Sequence, residues 1–445
     1  MRKRAHMDPK TLAQAIDAQL PLAETIFHDL EVQTGDGQGI TRPAWSPQDQ
    51  CAADLVADAA RSLDLEVAYD PAGNLYATLP GRDRSAPGLL TGSHLDSVPT
   101  GGNYDGAAGV VAGLTALAAL KDLGVTLPCD ITAVGLRGEE SVWYGIAYLG
   151  SRLAVGSLPA TELDQLCRGD TGRSLSDHMA ELGFDANALR QSTTPYISPD
   201  NTRAYLELHI EQGPVLVSDN LPVAIPTTIR GNVRFPYARC LGAYEHSAAA
   251  PREHRQDAVL AVVELISALE RFWLDQEAAG EPDTVLTVGK LYTDAAQHAM
   301  TKVPGECCFT LNVGGTTQTF LDMARSLIYE LTDAIASKRR VSFELGDCVG
   351  SNPTPLNESL RRLLRQSATA LGIAHCEMAT VGHDASIFAR AGIPSAMVLI
   401  RNQHGSHNAQ EAMEMADFRL GTQVLTSALY QLSGLSGDAL WGTSA

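Results

Sequence analysis

Apolar residues recur three and four positions apart through "TLAQAIDAQL" and "PQDQCAADLVADAARSLDL", a spacing that predicts helices over much of residues 10–80. "EVAYDPAGNLYATLPG" alternates instead and reads as a hairpin turning at Ala72, Gly73 and Asn74. Next come a short apolar strand in "APGLLTGSHLDSV", a buried Ala- and Gly-rich helix in "GAAGVVAGLTALAALKDLG", and a second apolar strand in "CDITAVGLRGEE". Strand, helix and strand in that order predict a parallel unit, whose ligands gather at the carboxyl ends of the strands. "RAYLELHIEQGPVL" alternates and then stops at Gly213 and Pro214, which reads as a strand end and a domain boundary.

Beyond that point the pattern changes to a strand in "IRGNVRFPYARCLGA", a helix in "DAVLAVVELISALERFWLDQ" and strands in "TVLTVGKLY" and "ECCFTLNVG". A helix in "TFLDMARSLIYELTDAIASK" and a strand in "VSFEL" complete it. The order βαββαβ predicts an inserted ferredoxin-like domain. "ESLRRLLRQSATALG" and "PSAMVLI" then return to helix and strand and would complete the first sheet. The expected fold class is therefore α/β: a mixed, mostly parallel sheet with flanking helices, plus the inserted ferredoxin-like unit. The expected boundaries are 8–216 and 351–445 for the two parts of the first domain and 217–350 for the inserted unit.

Composition narrows the class. With 44% hydrophobic and 19% charged residues in 445, the chain has material for more than one sizeable core and does not read as disordered. A formal net charge of −19 disfavours a phosphate backbone as partner, so no nucleic acid is expected. Eight cysteines without a C-x-x-C pair suit reduced thiols in a cytoplasmic protein. No apolar run is long enough to span a membrane, and the charged start "MRKRAHMD" has no hydrophobic run after it, so neither a membrane partner nor secretion is expected.

The chemistry sits where the strands end. His94 and Asp96 lie two apart near a strand end and so face the same way, and the glycines of "GGN" let the chain return Asp105 to the same point. Glu139 and Glu140 close a buried strand, where adjacent carboxylates call for a compensating cation. "ELHIEQG" adds Glu207, His209, Glu211 and Gln212, and "HGSHNAQE" adds His404 and His407. Imidazole and carboxylate donors converging from several strand ends, with no thiolate among them, point to a two-metal site for Zn, Mn, Co or Ni.

The segments "GSHLDSVPTGGNYDG", "GEES", "ELHIEQGPVL", "EHSAAAPREHRQDA", "VGHDA" and "GSHNAQE" together resemble the zinc-dependent hydantoinase/carbamoylase family. That family is related to the aminoacylase and carboxypeptidase clan, and the resemblance runs over roughly residues 20–430. It implies a metallopeptidase-like catalytic domain with the inserted unit as a lid and dimerisation domain, and two divalent metal ions per subunit, zinc foremost. His94 and His209 would complete one metal each, Asp105 would bridge the two, and Glu140 and His407 would fill the remaining positions. Glu139 would act as general base and Asp96 would orient His94. His246 would reach the active site of a neighbouring subunit in a homodimer and stabilise the oxyanion, and Gln212 and His383 would line the substrate pocket.

The sequence also departs from this family. Where members carry Asn in "N-x-I-P-G" and Arg at the end of "D-x-R", this chain has "TKVPG" and "LNVGG", placing Thr301 and Gly314 at those positions. Trp143 stands where an Arg commonly follows the Glu pair and offers an apolar wall to the pocket. Glycine cannot replace a bidentate guanidinium, so a small linear amide or ureido substrate with an atypical acyl or amine portion is expected. The alternatives are an ordinary N-carbamoyl-L-amino-acid or ureido-acid amidohydrolase whose carboxylate recognition has moved to Arg230, Arg234 or Lys302, a dipeptidase or aminopeptidase, and a non-catalytic metal-binding protein. The pairing of Glu139 with Glu140 speaks against the last, because ligation alone needs no second carboxylate.

Overall fold

A computed structural model describes residues 7–192, 194–280 and 283–435, which fall into two compact units. Thr228–Pro355 and Ala379–Gly382 form the second unit, and the other described residues form the first. The basic start at residues 1–6 lies outside the described residues.

The first unit is built on a sheet in the strand order Glu66–Tyr69, Leu75–Leu79, Ile131–Leu136, Gly88–His94, Thr202–Ile210, Ser395–Ile400, Val223–Ile229. The four central strands, from Ile131–Leu136 to Ser395–Ile400, are mutually parallel, and the outer pairings are antiparallel. Ile131–Leu136 and Ser395–Ile400 are buried at every position, as expected of parallel strands covered on both faces. The helix Ala107–Asp122 supplies the crossover and is itself buried from Ala107 to Leu120. Its small side chains let it lie close against the strands. Pro9–Thr34, Pro47–Ser62, Glu358–Leu371 and Met415–Gly434 add further helices to this unit's core.

One strand end is fixed by a buried cation. Arg137, which follows Leu136, lies 2.7 Å through Nη1 from Asp49 Oδ2 and 2.6 Å through Nη2 from Gln50 Oε1. Its Nε donates to the Gly73 carbonyl, and its backbone N–H donates to Asn74 Oδ1 at 3.0 Å. Helix, hairpin turn and strand end are thereby joined just ahead of Glu139 and Glu140.

The second unit carries an antiparallel sheet in the order Leu291–Tyr292, Glu306–Gly315, Gly231–Leu241, Ser342–Glu344. Val285–Thr287 and Val349–Ser351 add to Glu306–Gly315 and Gly231–Leu241 respectively. The helices Ala258–Ala278 and Gln318–Arg339 bury Leu265 and Ile328 with Phe235 and Phe309 of the strands. The βαββαβ order is present, with the strand expected in "TVLTVGKLY" divided into Val285–Thr287 and Leu291–Tyr292.

The units divide at different places from those expected. Gly213 and Pro214 end no domain: the chain continues through the short helix Val215–Ser218 into Val223–Ile229, which pairs Ala224 with Leu399 and Val223 with Ile400. Backbone pairing therefore keeps residues 217–227 in the first unit. On the far side Thr354 and Pro355 pair with Ile229 and Thr228, so the second unit runs past 350. Among the described residues no helix is long and apolar enough to cross a membrane, and the eight cysteines are free thiols.

The buried ion pair at Arg137 yields a stability prediction. Arg137→Met keeps much of the side-chain length but leaves Asp49 buried without its cation, a change that costs about 3–5 kcal/mol. Urea unfolding should show a loss of that size, with Asp49→Asn in the same background recovering part of it. A variant within about 1 kcal/mol of the parent, the usual range of a surface pair, would show that the pair does not hold this corner.

Candidate functional site

The carboxyl ends of the four central parallel strands converge on Asp105. His94 ends Gly88–His94, His209 is the penultimate residue of Thr202–Ile210, Glu140 lies just beyond Leu136, and His407 lies in the loop after Ile400. Asp105 precedes the helix Ala107–Asp122, with Gly106 as N-cap at φ 67°. A Cβ on Gly106 would stand 2.5 Å from the His94 ring, so only glycine lets the helix start this close.

Two sets of donors share the Asp105 carboxylate. Oδ1 lies 3.7 Å from His94 Nε2 and 3.2 Å from His209 Nε2. Oδ2 lies 3.3 Å from His407 Nε2, which is in turn 3.2 Å from Glu140 Oε1. In each of the groups His94–Asp105–His209 and Asp105–Glu140–His407, one ligand atom per residue lies within 4.8 Å of the others. The pairing expected for the histidines is thereby corrected: His94 and His209 face the same oxygen and belong to one position, while His407 and Glu140 form the other. A further group, Glu207–His209–His383, shares His209.

The electrostatics are those of a site lacking positive charge. Asp105 Oδ1 is buried and receives no well-formed hydrogen bond, a costly state for a carboxylate oxygen flanked by two imidazoles. Burial opposes charge on His94, yet Asp96, Glu139 and Asp105 hold its pKa well above the usual value. Hydrogen bonds to Asp105 and Glu140 push His407 up to about 10. Protons on the histidines thus balance the acids where a divalent cation could do so instead, and these N and O donors are ones such a cation accepts. His94 Nδ1 and His209 Nδ1 lie 2.9 Å from the carbonyls of Asp96 and Ile210, which turns each Nε2 towards Asp105.

The other residues singled out in the sequence fall into place differently. Asp96 orients His94 chiefly through its backbone carbonyl, since its Oδ1 is 3.6 Å from Nδ1. Its carboxylate instead accepts the N–H groups of Glu139 and Glu140 at 3.1 and 3.2 Å, locking one strand end to the next. Glu139 belongs to neither donor group, and burial, reinforced by Glu140, Asp384 and Asp96, holds its carboxyl well above the usual range against the pull of His94. Gln212, with φ 63°, donates to Asp105 Oδ2 at 3.0 Å. His383 is buried against the His209 ring, their centroids 4.4 Å apart. Trp143 is buried in a cluster with Trp45 and Tyr144 and donates to the Ser97 carbonyl at 2.8 Å. Glu211 caps Val215 and Leu216, Glu207 accepts from Ser93 and Ala385, and His404 is exposed.

His246, Thr301 and Gly314 belong to the second unit. His246 is exposed in a short ladder opposite Lys302, and Ser247 N–H donates to the Thr301 carbonyl at 2.9 Å, so His246 and Thr301 are close neighbours. Arg255 ties the turn after His246 by donating to the Ser247 and Ala250 carbonyls, while Asp257 caps the following helix. Gly314 is buried near the end of the strand Glu306–Gly315, between Asn232 and Val285, and a Cβ there would meet Val285 Cβ at 3.4 Å. Arg234 shares the sheet face of Gly314, opposite Asn312, to which its Nε donates at 3.0 Å.

Sequence reasoning passed over Ser406 and Glu411, both of which touch the Asp105 turn. The available signal was the acid closing "HGSHNAQE", four residues beyond His407.

Comparison with known proteins places the chain among related hydrolases. The model for "Peptidase family M20/M25/M40" matches residues 90–431. An N-carbamoyl-L-amino acid amidohydrolase of Geobacillus stearothermophilus is 32% identical over 407 residues, covering 91% of this chain and 96% of that protein. An allantoate amidohydrolase of Escherichia coli is 28% identical over 425 residues, covering 94% and 98%. The solved structure of a hydantoinase/carbamoylase family amidase from Burkholderia ambifaria is 27% identical and superposes with a TM-score of 0.83, covering 94% of this chain and 98% of that one.

Proposed function

We propose that this chain, which belongs to peptidase family M20/M25/M40, is a hydrolase that cleaves the carbamoyl or ureido C–N bond of a small molecule with two divalent metal ions, zinc foremost. The observation that carries the reading is the Asp105 carboxylate, buried between two donor groups with Oδ1 lacking a hydrogen bond. His94, His209 and Asp105 would hold one ion and Asp105, Glu140 and His407 the other. The bound ions would supply the charge that polarises a carbonyl and acidifies water.

Glu139 is the general base in this reading. It lies beside Glu140 but outside both donor groups, and its raised pKa suits a group that takes a proton from the attacking water and returns it to the leaving nitrogen. Asp96 sets its position through the backbone. His246 acts in a homodimer on the site of the neighbouring subunit, where an imidazole donor would stabilise the developing oxyanion. Its exposure and the turn tied by Arg255 support that role.

The substrate lacks a carboxylate at the position governed by Gly314 and Thr301, since a buried anion there would lose its hydration and gain no partner. A second reading is favoured by Arg234. Arg230 is paired with Asp283 at 2.8 Å, and Lys302 is bonded to Gln297 and lies over the Tyr244 ring. Arg234 is exposed on the sheet face that carries Gly314 and could supply the cation from a neighbouring strand.

Four experiments test these statements. Chelation should abolish turnover and lower thermal stability. Glu139→Gln should keep both metals but lose about 10² to 10⁴ in kcat, whereas Glu140→Ala should lose metal. Equal metal loss in both variants would overturn the division of roles. Mixing Glu139→Gln with His246→Ala protein should restore activity, up to about a quarter of the parent's, because one site of each mixed dimer holds both groups. No recovery after demonstrated subunit exchange would place His246 within its own chain's chemistry or outside it altogether. Finally, N-carbamoyl-L-amino acids and allantoate should be poor substrates beside neutral ureido compounds. Efficient turnover of N-carbamoyl-L-amino acids, with a KM that rises steeply on amidating the carboxylate and equally in Arg234→Gln, would establish the relocated cation instead.

A further inference from the structure

Glu411 is buried and uses both carboxylate oxygens on the Asp105 turn and on the loop that carries His407. Its Oε1 accepts the N–H groups of Tyr104 and Asp105 at 3.0 and 3.1 Å. Its Oε2 lies 2.6 Å from Ser406 Oγ, and that hydroxyl lies 2.8 Å from Asp105 Oδ2. Glu411 therefore reaches the same aspartate twice, through its backbone and through the serine beside His407.

The surroundings shape this contact. Gln403 and Ala412 pair as an antiparallel bridge, closing a loop that contains Ser406, His407 and Glu411. Within it His407 holds a left-handed φ of 61°, a conformation that costs free energy unless neighbouring bonds fix it. On the opposite side Gly102 leaves room for the carboxylate: a Cβ there would lie 2.2 Å from Glu411 Oε1 and 2.3 Å from its Cδ. Two segments some 300 residues apart are thus clasped at one carboxyl group.

We infer that Glu411 is a positioning residue that sets Asp105 and His407 relative to each other, with Ser406 as its link and Gly102 as the space it requires. This rests on reading Asp105 and His407 as metal ligands. Its role is one of shape. A glutamine at 411 can accept the same two N–H groups through its carbonyl oxygen while its amide donates to Ser406 Oγ, leaving the serine proton for Asp105 Oδ2.

The test is competitive Zn²⁺ titration of the full-length, chelator-treated protein against a chromophoric chelator, with thermal unfolding of the metal-free form alongside. Glu411→Ala and Gly102→Ala should each weaken zinc affinity 10- to 100-fold, the usual effect of removing a group that orients a ligand. Glu411→Gln should remain within about threefold of the parent, inside the scatter expected for a preserved hydrogen-bond set. If Glu411→Ala does not fold, the contrast between Gly102→Ala and Glu411→Gln carries the test. Zinc affinity unchanged in Glu411→Ala and Gly102→Ala, with only metal-free stability reduced, would make Glu411 a structural group and overturn the inference. So would a Glu411→Gln variant as weak as Glu411→Ala, which would mean that the charge matters and not the shape. A parent protein that takes up no zinc would instead defeat the reading of Asp105 and His407 as ligands.

Discussion

A buried carboxylate needs positive charge or hydrogen-bond donors on both oxygens, and Asp105 is where this molecule meets that demand. Oδ2 is supplied by Gln212 and Ser406, while Oδ1 faces two imidazole nitrogens without a well-formed bond. The acids around it, Glu139, Glu140, Asp96 and Glu411, add to the requirement for positive charge, and burial raises the cost of each. The parallel sheet is what concentrates them. Parallel strands place their carboxyl ends along one edge, so residues at and just beyond those ends meet without any being close in sequence.

Such a collection would spread apart unless each strand end were separately held. Arg137 and Asp49 hold one, joined to the hairpin turn through Gly73 and Asn74. Asp96 couples that end to the end of Gly88–His94 by accepting the N–H groups of Glu139 and Glu140 while its carbonyl takes His94 Nδ1. Trp143 braces the segment after Asp96 through the Ser97 carbonyl. These groups touch no substrate in the proposed chemistry, yet they fix the distances between the groups that do, and an ångström of play at a ligand is expensive.

Much of this was legible in the chain. Apolar runs followed by His, Asp or Glu announced strand ends with ligands, and the strand–helix–strand order announced that those ends would share an edge. The assignment of partners was not legible. That His94 and His209 share one oxygen of Asp105 depends on strand order, because Gly88–His94 and Thr202–Ile210 are neighbours in the sheet although more than a hundred residues apart. Nor was the bond from Trp143 to the Ser97 carbonyl legible, because its distance from Glu140 in sequence says nothing about which way the chain turns after the strand. The boundary at Gly213 was misread because a Gly-Pro break ends a strand but not a sheet, and the pairing of Ala224 with Leu399 is not a local property.

The buried charges and two of the positions proposed for substrate recognition lie in different units. All the residues that converge on Asp105 belong to the first unit, whereas Thr301 and Gly314 belong to the second, which has its own core around Phe235, Leu265, Phe309 and Ile328. A substitution in the second unit therefore need not disturb the buried charges that the first unit has to balance. Gly314 sits one residue from the end of its strand, paired on both sides and with no side chain to repack. Arg234, one strand away on the same face, shows that a cation can be present there without occupying position 314. In the reading proposed above, reaction chemistry is constrained by the electrostatics of a crowded site, while recognition rests on the face of a sheet. The former leaves a strong mark in the sequence, and the latter can move between neighbouring strands and leave almost none.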